Sequence, residues 1–189
     1  MSELTVGSIG GLATNNNVVT VPSGHILKQP GGLIQVEQTT LSTRQIFSSI
    51  SSWTQITNFS VSITPKFANS KIILTTTFPC STGSDTTTAF RWYRSISGGS
   101  AGYLPYGTGY SSDYDAHFKQ ASYNYGYWQY TTTHELIDLP NSSSAITYSI
   151  HFRPYDSGRT FYFNGASDSS VNADRAYCVA TITAKEVMV

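Results

Sequence analysis

Along most of this chain apolar and polar residues alternate with a period of two, in runs of five to ten residues. Phe59, Val61 and Ile63 alternate with Ser60, Ser62 and Thr64, as in a half-buried strand. Pro65 ends the run because it has no N–H to donate. Asn69-Ser70 supplies turn chemistry. Beyond it Ile72, Leu74, Thr76 and Phe78 point one way, and Lys71, Ile73, Thr75 and Thr77 the other. Asn58 to Phe78 therefore reads as strand, tight turn, strand. An amphipathic hairpin of this kind needs a second sheet over its apolar face. Other runs can supply it. Leu33, Ile34 and Val36 open one strand. Ala89 to Ser95 forms another, with Phe90 and Tyr93 on opposite faces. Trp128 to Leu139 and Ile146 to Phe152 follow. Asp156-Ser157-Gly158 is a hairpin signal before 160–164. The closing strand spans Ala176 to Val187, with Cys178, Ala180, Ile182 and Ala184 on one face. Within 42–54, Ile46, Ile50 and Trp53 have helical spacing, but the surrounding threonines and serines favour extended backbone. Near-regular strands without a long helix predict an all-β fold, an antiparallel β-sandwich of jelly-roll type.

Two stretches stand outside this pattern. Residues 1–30 are loop-like apart from Val18-Val19-Thr20-Val21 and His25-Ile26-Leu27. So few apolar residues cannot bury themselves, so a short extended N-terminal arm is expected. It either packs on its own domain or interlocks with sister chains. Pro30-Gly31-Gly32 marks the boundary with a sandwich domain at 31–189. The second stretch, 97–126, is rich in Gly, Ser, Tyr and Asp and has only weak periodicity. Loops of that length are uncommon inside compact domains and are usually functional or disordered.

The run SVSITPKFANSKIIL resembles a motif of tail-fibre and tail-tip structural proteins of tailed bacteriophages, of the type found in phages of marine bacteria. NNNVVTVPSGHIL and GGLIQV upstream, and AITYSIHF and ITAKEVMV downstream, extend the resemblance to both ends of the chain. The Tyr-rich middle lies outside it. The resemblance implies a virion protein without enzymatic activity, a homotrimer attached to other phage tail or virion proteins through its N-terminal arm. Val18, Val19, Val21 and Ile26 are the candidate attachment residues. It also weakly favours irregular or strand structure over helix in 42–54.

Bulk properties narrow the partners. The 189 residues allow one domain with a substantial core. Charged residues make up 12% and the net charge is +0, so no basic patch for nucleic acid is visible. No apolar run approaches the roughly 18–20 residues that cross a bilayer, and MSELTVGSIG lacks the basic and apolar regions of a secretory leader. Neither membrane insertion nor export by that route is expected. The 2 cysteines, Cys80 and Cys178, read as buried free thiols and are too few for a cysteine zinc site.

Little in the sequence points to catalysis. His25, His117, His134 and His151 lack metal-site spacing, and no metal or cofactor is expected. Glu135 and Asp138, three apart on a strand, should face opposite ways, a poor arrangement for paired-carboxylate glycoside hydrolysis. A meeting of Glu135 with Asp113 or Asp115 in space stays open. No nucleophile elbow, phosphate loop or dinucleotide fingerprint is present. The informative stretch is the tyrosine-rich one. Tyr103, Tyr106, Tyr110, Tyr114, Tyr123 and Tyr125 stand among Gly, Ser, Asn and Asp, the chemistry of a recognition loop. With Asp113, Asp115 and Asn124 they form the candidate site for a host cell-surface glycan or protein. Tyrosines are equally at home in a subunit interface, so that reading stays beside it. The overall expectation is a trimeric tail-fibre or tail-tip protein located in the virion. Its rivals are a capsid decoration or head-fibre knob of the same fold, a stand-alone lectin, and a depolymerase.

Overall fold

The computed structural model describes residues 29–82, 86–107, 115–122, 129–166 and 178–189. Eleven strands form within them: β1 (Leu33–Leu41), β2 (Gln45–Ile50), β3 (Thr54–Ile63), β4 (Lys71–Thr82), β5 (Thr86–Ile96), β6 (Ala101–Tyr103), β7 (Phe118–Ser122), β8 (Tyr130–Asp138), β9 (Ile146–Pro154), β10 (Arg159–Phe163) and β11 (Ala180–Val187). No helix occurs among the described residues. All pairings are antiparallel and make two sheets.

Register shows that three pairs of strands run end to end. β11 pairs with Lys71–Thr77 of β4, and β10 continues along the same flank at Cys80–Thr82. β1 and β2 continue each other along β11 and β10. β6 and β7 do so along one flank of β5. Eight strand positions result. Numbered in chain order, they lie 1-8-3-6 in the first sheet and 2-7-4-5 in the second. This is jelly-roll connectivity, in which the chain crosses repeatedly between the sheets.

The crossing corrects one expectation. β3 and β4 are not a hairpin: β3 pairs with β9 in the second sheet, and β4 with β11 and β8 in the first. Their apolar faces meet across the core, where the rings of Phe59 and Phe78 lie 5.8 Å apart. The link between them is held by Glu186, which is fully buried. One carboxylate oxygen accepts from Lys66 N (2.8 Å), Phe67 N (3.2 Å) and Ser70 Oγ (2.7 Å), the other from Gln35 Nε2 (2.6 Å). Burial by itself would raise the Glu186 pKa. The bonds from Ser70, Lys66, Gln35 and Phe67 outweigh it and hold the pKa below the usual carboxylate value. The SITPKFANS run is thus a crossover strapped to the last strand.

The same logic corrects Asp156-Ser157-Gly158. These residues carry the chain from β9 in one sheet to β10 in the other, with Gly158 at φ 79° and its N–H donated to Ile50 O. Residues 42–54 contain β2, whose inward Phe47 stacks edge-on against Phe152. A left-handed Ser49 accompanies the irregular register of β2 with β10. Residues 97–126 are not one loop, since β6 and β7 lie within them. Leu104 is buried, and Phe118 stacks on Phe90 at 4.9 Å. Cys178 is exposed and precedes β11, whereas Cys80 is buried. The closing face is therefore Ala180, Ile182 and Ala184 without Cys178.

The core is largely aromatic. Phe78 from the first sheet touches Phe59 and Phe90 from the second, as well as Phe163, with ring centroids 5.2–5.8 Å apart. Phe152 and Phe161 stack at 4.1 Å. Fully buried Ile56, Ile72, Leu74, Ile146, Ile150 and Ile182 fill around them. One buried polar knot joins the sheets. Asp138 on β8 accepts from Arg94 Nη1 at 2.9 and 3.0 Å and from Tyr148 Oη at 2.8 Å.

Candidate functional site

Alternation along β5 decides what the second sheet shows to the outside. Phe90, Trp92 and Arg94 turn inward, so Arg91 and Tyr93 turn outward. The Tyr93↔Tyr103 register of the β5–β6 pair sets two tyrosines side by side, ring centroids 5.3 Å apart. Register also brings His151 of β9 opposite Arg91. The His151 ring stacks on Tyr93 at 4.8 Å, and its Nδ1 is 3.2 Å from Tyr103 Oη.

Arg91 is the centre of this group. Although it lies on an outward face, it is only 4% exposed, because aromatic rings cover it. Its guanidinium carbon sits 4.0 Å from the Trp53 ring centroid, 3.9 Å from Tyr106 and 5.1 Å from Tyr103. Its Nε donates to the Asp115 carbonyl at 2.7 Å. Cation–π contacts gain strength as the cation is desolvated, and a planar guanidinium can stack on both faces. Burial pulls the Arg91 pKa down, while Tyr106, Tyr103 and Asp115 pull it back up. The arginine range is so high that the charge stays on. Burial raises the Tyr103 pKa, and Arg91 opposes that rise.

Of the candidate recognition residues, Tyr103, Tyr106 and Asp115 therefore converge on one cation. Tyr110, Asp113, Tyr114, Tyr123, Asn124 and Tyr125 lie outside the described residues, as do Val18, Val19, Val21 and Ile26 of the arm. Tyr106 and Asp115 flank residues 107–114. Sequence reading missed Arg91, Trp53, Tyr93 and His151. Arg91 and Tyr93 were legible only as the polar phase of a strand. Trp53 reaches the site because β3 follows it directly, and nothing local indicates that.

Ring nitrogens of three histidines take part in hydrogen bonds. His117 Nδ1 accepts from the Trp92 main-chain N–H at 3.2 Å, and His134 Nδ1 accepts from the Trp92 indole N–H at 3.1 Å. Each ring then carries its proton on Nε2. Burial pushes the pKa of both down, His117 to about 4 with help from nearby His134. Burial also brings His151 to about 4. Among the described residues no three His, Cys, Asp or Glu side chains group as metal ligands. Glu135 and Asp138 face opposite ways as expected: Glu135 lies on the outer face of the first sheet beside Thr75, and Asp138 points into the core. Arg91 and the Asp115 carbonyl lie on the other side of the sandwich from Glu135.

No family model matches the chain, and no curated protein matches it. Among solved structures it is similar to a chain of the infectious bursal disease virus Gx strain, at 10% identity and a TM-score of 0.38. That match covers 91% of this chain and 41% of the other. It is also similar to the VP2 subviral particle of infectious bursal disease virus, at 12% identity and a TM-score of 0.34, covering 91% and 42%. The chain thus spans about two-fifths of those chains' length. No described helix is long and apolar enough to cross a membrane.

Proposed function

We propose that this chain is a non-enzymatic structural protein of a tailed-phage virion, of tail-fibre or tail-tip type. It acts as a homotrimer, attached through its N-terminal arm at 1–30. Its tyrosine-rich segment meets a glycan or protein on the host surface. The observation that carries the recognition part is the clamp on Arg91. Tyr106 and Asp115 are held against one guanidinium, so both ends of the segment between them sit beside Arg91 on the second sheet. Binding residues are typically carried on loops that a rigid scaffold positions. Tyr110, Asp113 and Tyr114 lie within that segment. The virion assignment is supported by the strapped SITPKFANS crossover, which is the stretch resembling phage tail proteins, within a jelly roll.

The test replaces Tyr110 and Tyr114 with Ser together and leaves Tyr106 in its clamp. The purified variant should melt as the parent does, keep its oligomer mass, and lose competition with phage for host adsorption. Undiminished competition would refute the recognition site. Antibody labelling of intact particles tests placement, with label at the tail tip expected. Label on the head would replace the tail assignment with a capsid decoration protein.

A further inference from the structure

The outer face of the first sheet is a grid whose two rims match. β1, β11, β4 and β8 lie side by side, and the register joins residues straight across them. One row runs Val36, Lys185, Ile73, Ile137. The next starts at Gln38 and ends at Glu135, and the one after starts at Thr40 and ends at Thr133. On the other side Leu33 heads a row through Val187 and Lys71, which Leu139, one residue past Asp138, closes. Ile72, Leu74, Ala184 and Glu186 between these rows are buried, so the grid is the outward phase. The β1 rim therefore reads apolar, apolar, amide, hydroxyl. The β8 rim reads apolar, apolar, carboxylate, hydroxyl, at the same four levels. Leu33, Val36, Ile137 and Leu139 are 48–60% exposed, and clustered exposed apolar side chains mark contact sites. Neither Lys185 nor Glu135 has an ion-pair partner among the described residues.

We propose that the β1 rim of one copy packs against the β8 rim of the next, in a ring of three around an axis parallel to these strands. Rotation about such an axis leaves every row at its own level, and sheet twist tilts the rows without changing their order. Leu33 then meets Leu139 of the next copy, and Val36 meets its Ile137. Gln38 Nε2 can donate to its Glu135, which in its own chain takes only a 3.3 Å bond from Thr75. Lys185 stands one strand and one row from that carboxylate, so two charges unpaired in the single chain come together. A half-turn about the same axis would match the rows equally well. It would also press four ammonium groups, Lys71 and Lys185 of each copy, into a dry contact against two carboxylates, which is costly. In a ring of three the middle strands line the axis, where the lysines reach water. Unlike rims meeting head to tail close such a ring. The inference rests on the homotrimer proposed under the function and gives its contact a place.

The test uses the full chain with Cys178→Ser, Val36→Cys and Ile137→Cys. Positions 36 and 137 lie three strand spacings apart in one chain, roughly 14 Å. A disulfide spans only about 4.4–6.8 Å between Cα atoms, so any link joins different chains. After mild oxidation a non-reducing gel should show covalent trimer as the largest species, collapsing on reduction. No cross-link, or dimer as the end point, would overturn the ring. A second variant, Ile137→Asp, should fall to monomer mass in light scattering with unchanged far-ultraviolet circular dichroism. Lys185→Glu should raise the concentration needed for assembly about tenfold or more, and adding Glu135→Lys should restore it. If the parent is a trimer, the cysteines do not link and Ile137→Asp keeps the trimer mass, the contact lies elsewhere and the homotrimer reading stands. A monomeric parent would refute both.

Discussion

The knot of Asp138, Arg94 and Tyr148 should be worth far more intact than in part. Asp138 is 7% exposed and Tyr148 is fully buried, and the Arg94 side chain keeps 24% exposure. Arg94→Met would leave a carboxylate inside the sandwich with one remaining donor. Breaking a buried ion pair from one side costs about 3–5 kcal/mol, because an uncompensated charge remains. The partial exposure of Arg94 argues for the lower end. In a chain of this size a loss of about 3 kcal/mol lowers the melting temperature by roughly 6–12 °C. At about 2–3 kcal/mol per molar of urea it also moves the midpoint by about 1 M or more. Replacing both charges, Arg94→Met with Asp138→Leu, removes the stranded charge but orphans the Tyr148 hydroxyl, at about 1–3 kcal/mol. Adding Tyr148→Phe removes that orphan too. The triple variant should therefore be more stable than Arg94→Met alone, which additive effects cannot produce. Urea titrations of the parent, the single, the double and the triple variant measure the order. The reasoning fails if Arg94→Met stays within about 0.5 kcal/mol of the parent, the usual surface range, or if the effects add.

Other consequences follow from burial. Ile150 is fully buried opposite Trp92, and Ile150→Ala should cost about 2–5 kcal/mol in denaturant titration; a cost below about 0.5 kcal/mol would place the residue outside the core. His117 and His151 have folded pKa values of about 4, against about 6.5 for an unperturbed histidine. Between those values the unfolded chain binds more protons, so stability is complete above about pH 6.5 and falls as the pH drops towards 4. Melting scans at pH 7, 6 and 5 should show this decline, and His117→Gln with His151→Gln should flatten it. Burial pushes the Cys80 thiol up to about 12, so a thiol reagent at pH 8 should label exposed Cys178 in the native protein and Cys80 only after unfolding, as mass spectrometry would show.

Much of the fold was written into local alternation. Ile72, Leu74, Thr76 and Phe78 form a buried stripe, as do Ile146, Tyr148, Ile150 and Phe152. A strand burying one face must repeat its apolar side chains every second residue, whatever lies opposite. The same period sets Glu135 and Asp138 on opposite faces, because an odd spacing along one strand always does. The repeat does not say which strands pair. Phe59–Ile63 and Ile72–Phe78 would look identical as a hairpin or as two layers facing across a core. The choice came from long-range partners, Glu186 of the last strand among them. Composition made the tyrosine stretch read as one exposed surface, yet Leu104 and Phe118 within it reach the core. Their burial depends on β5 offering a free flank, which is a tertiary fact. Arg91 shows the limit most plainly. Its outward position follows from the period of β5. Its burial follows from Trp53, Tyr103 and Tyr106 folding over it from other segments, and local spacing carries no information about rings that arrive from elsewhere in the chain.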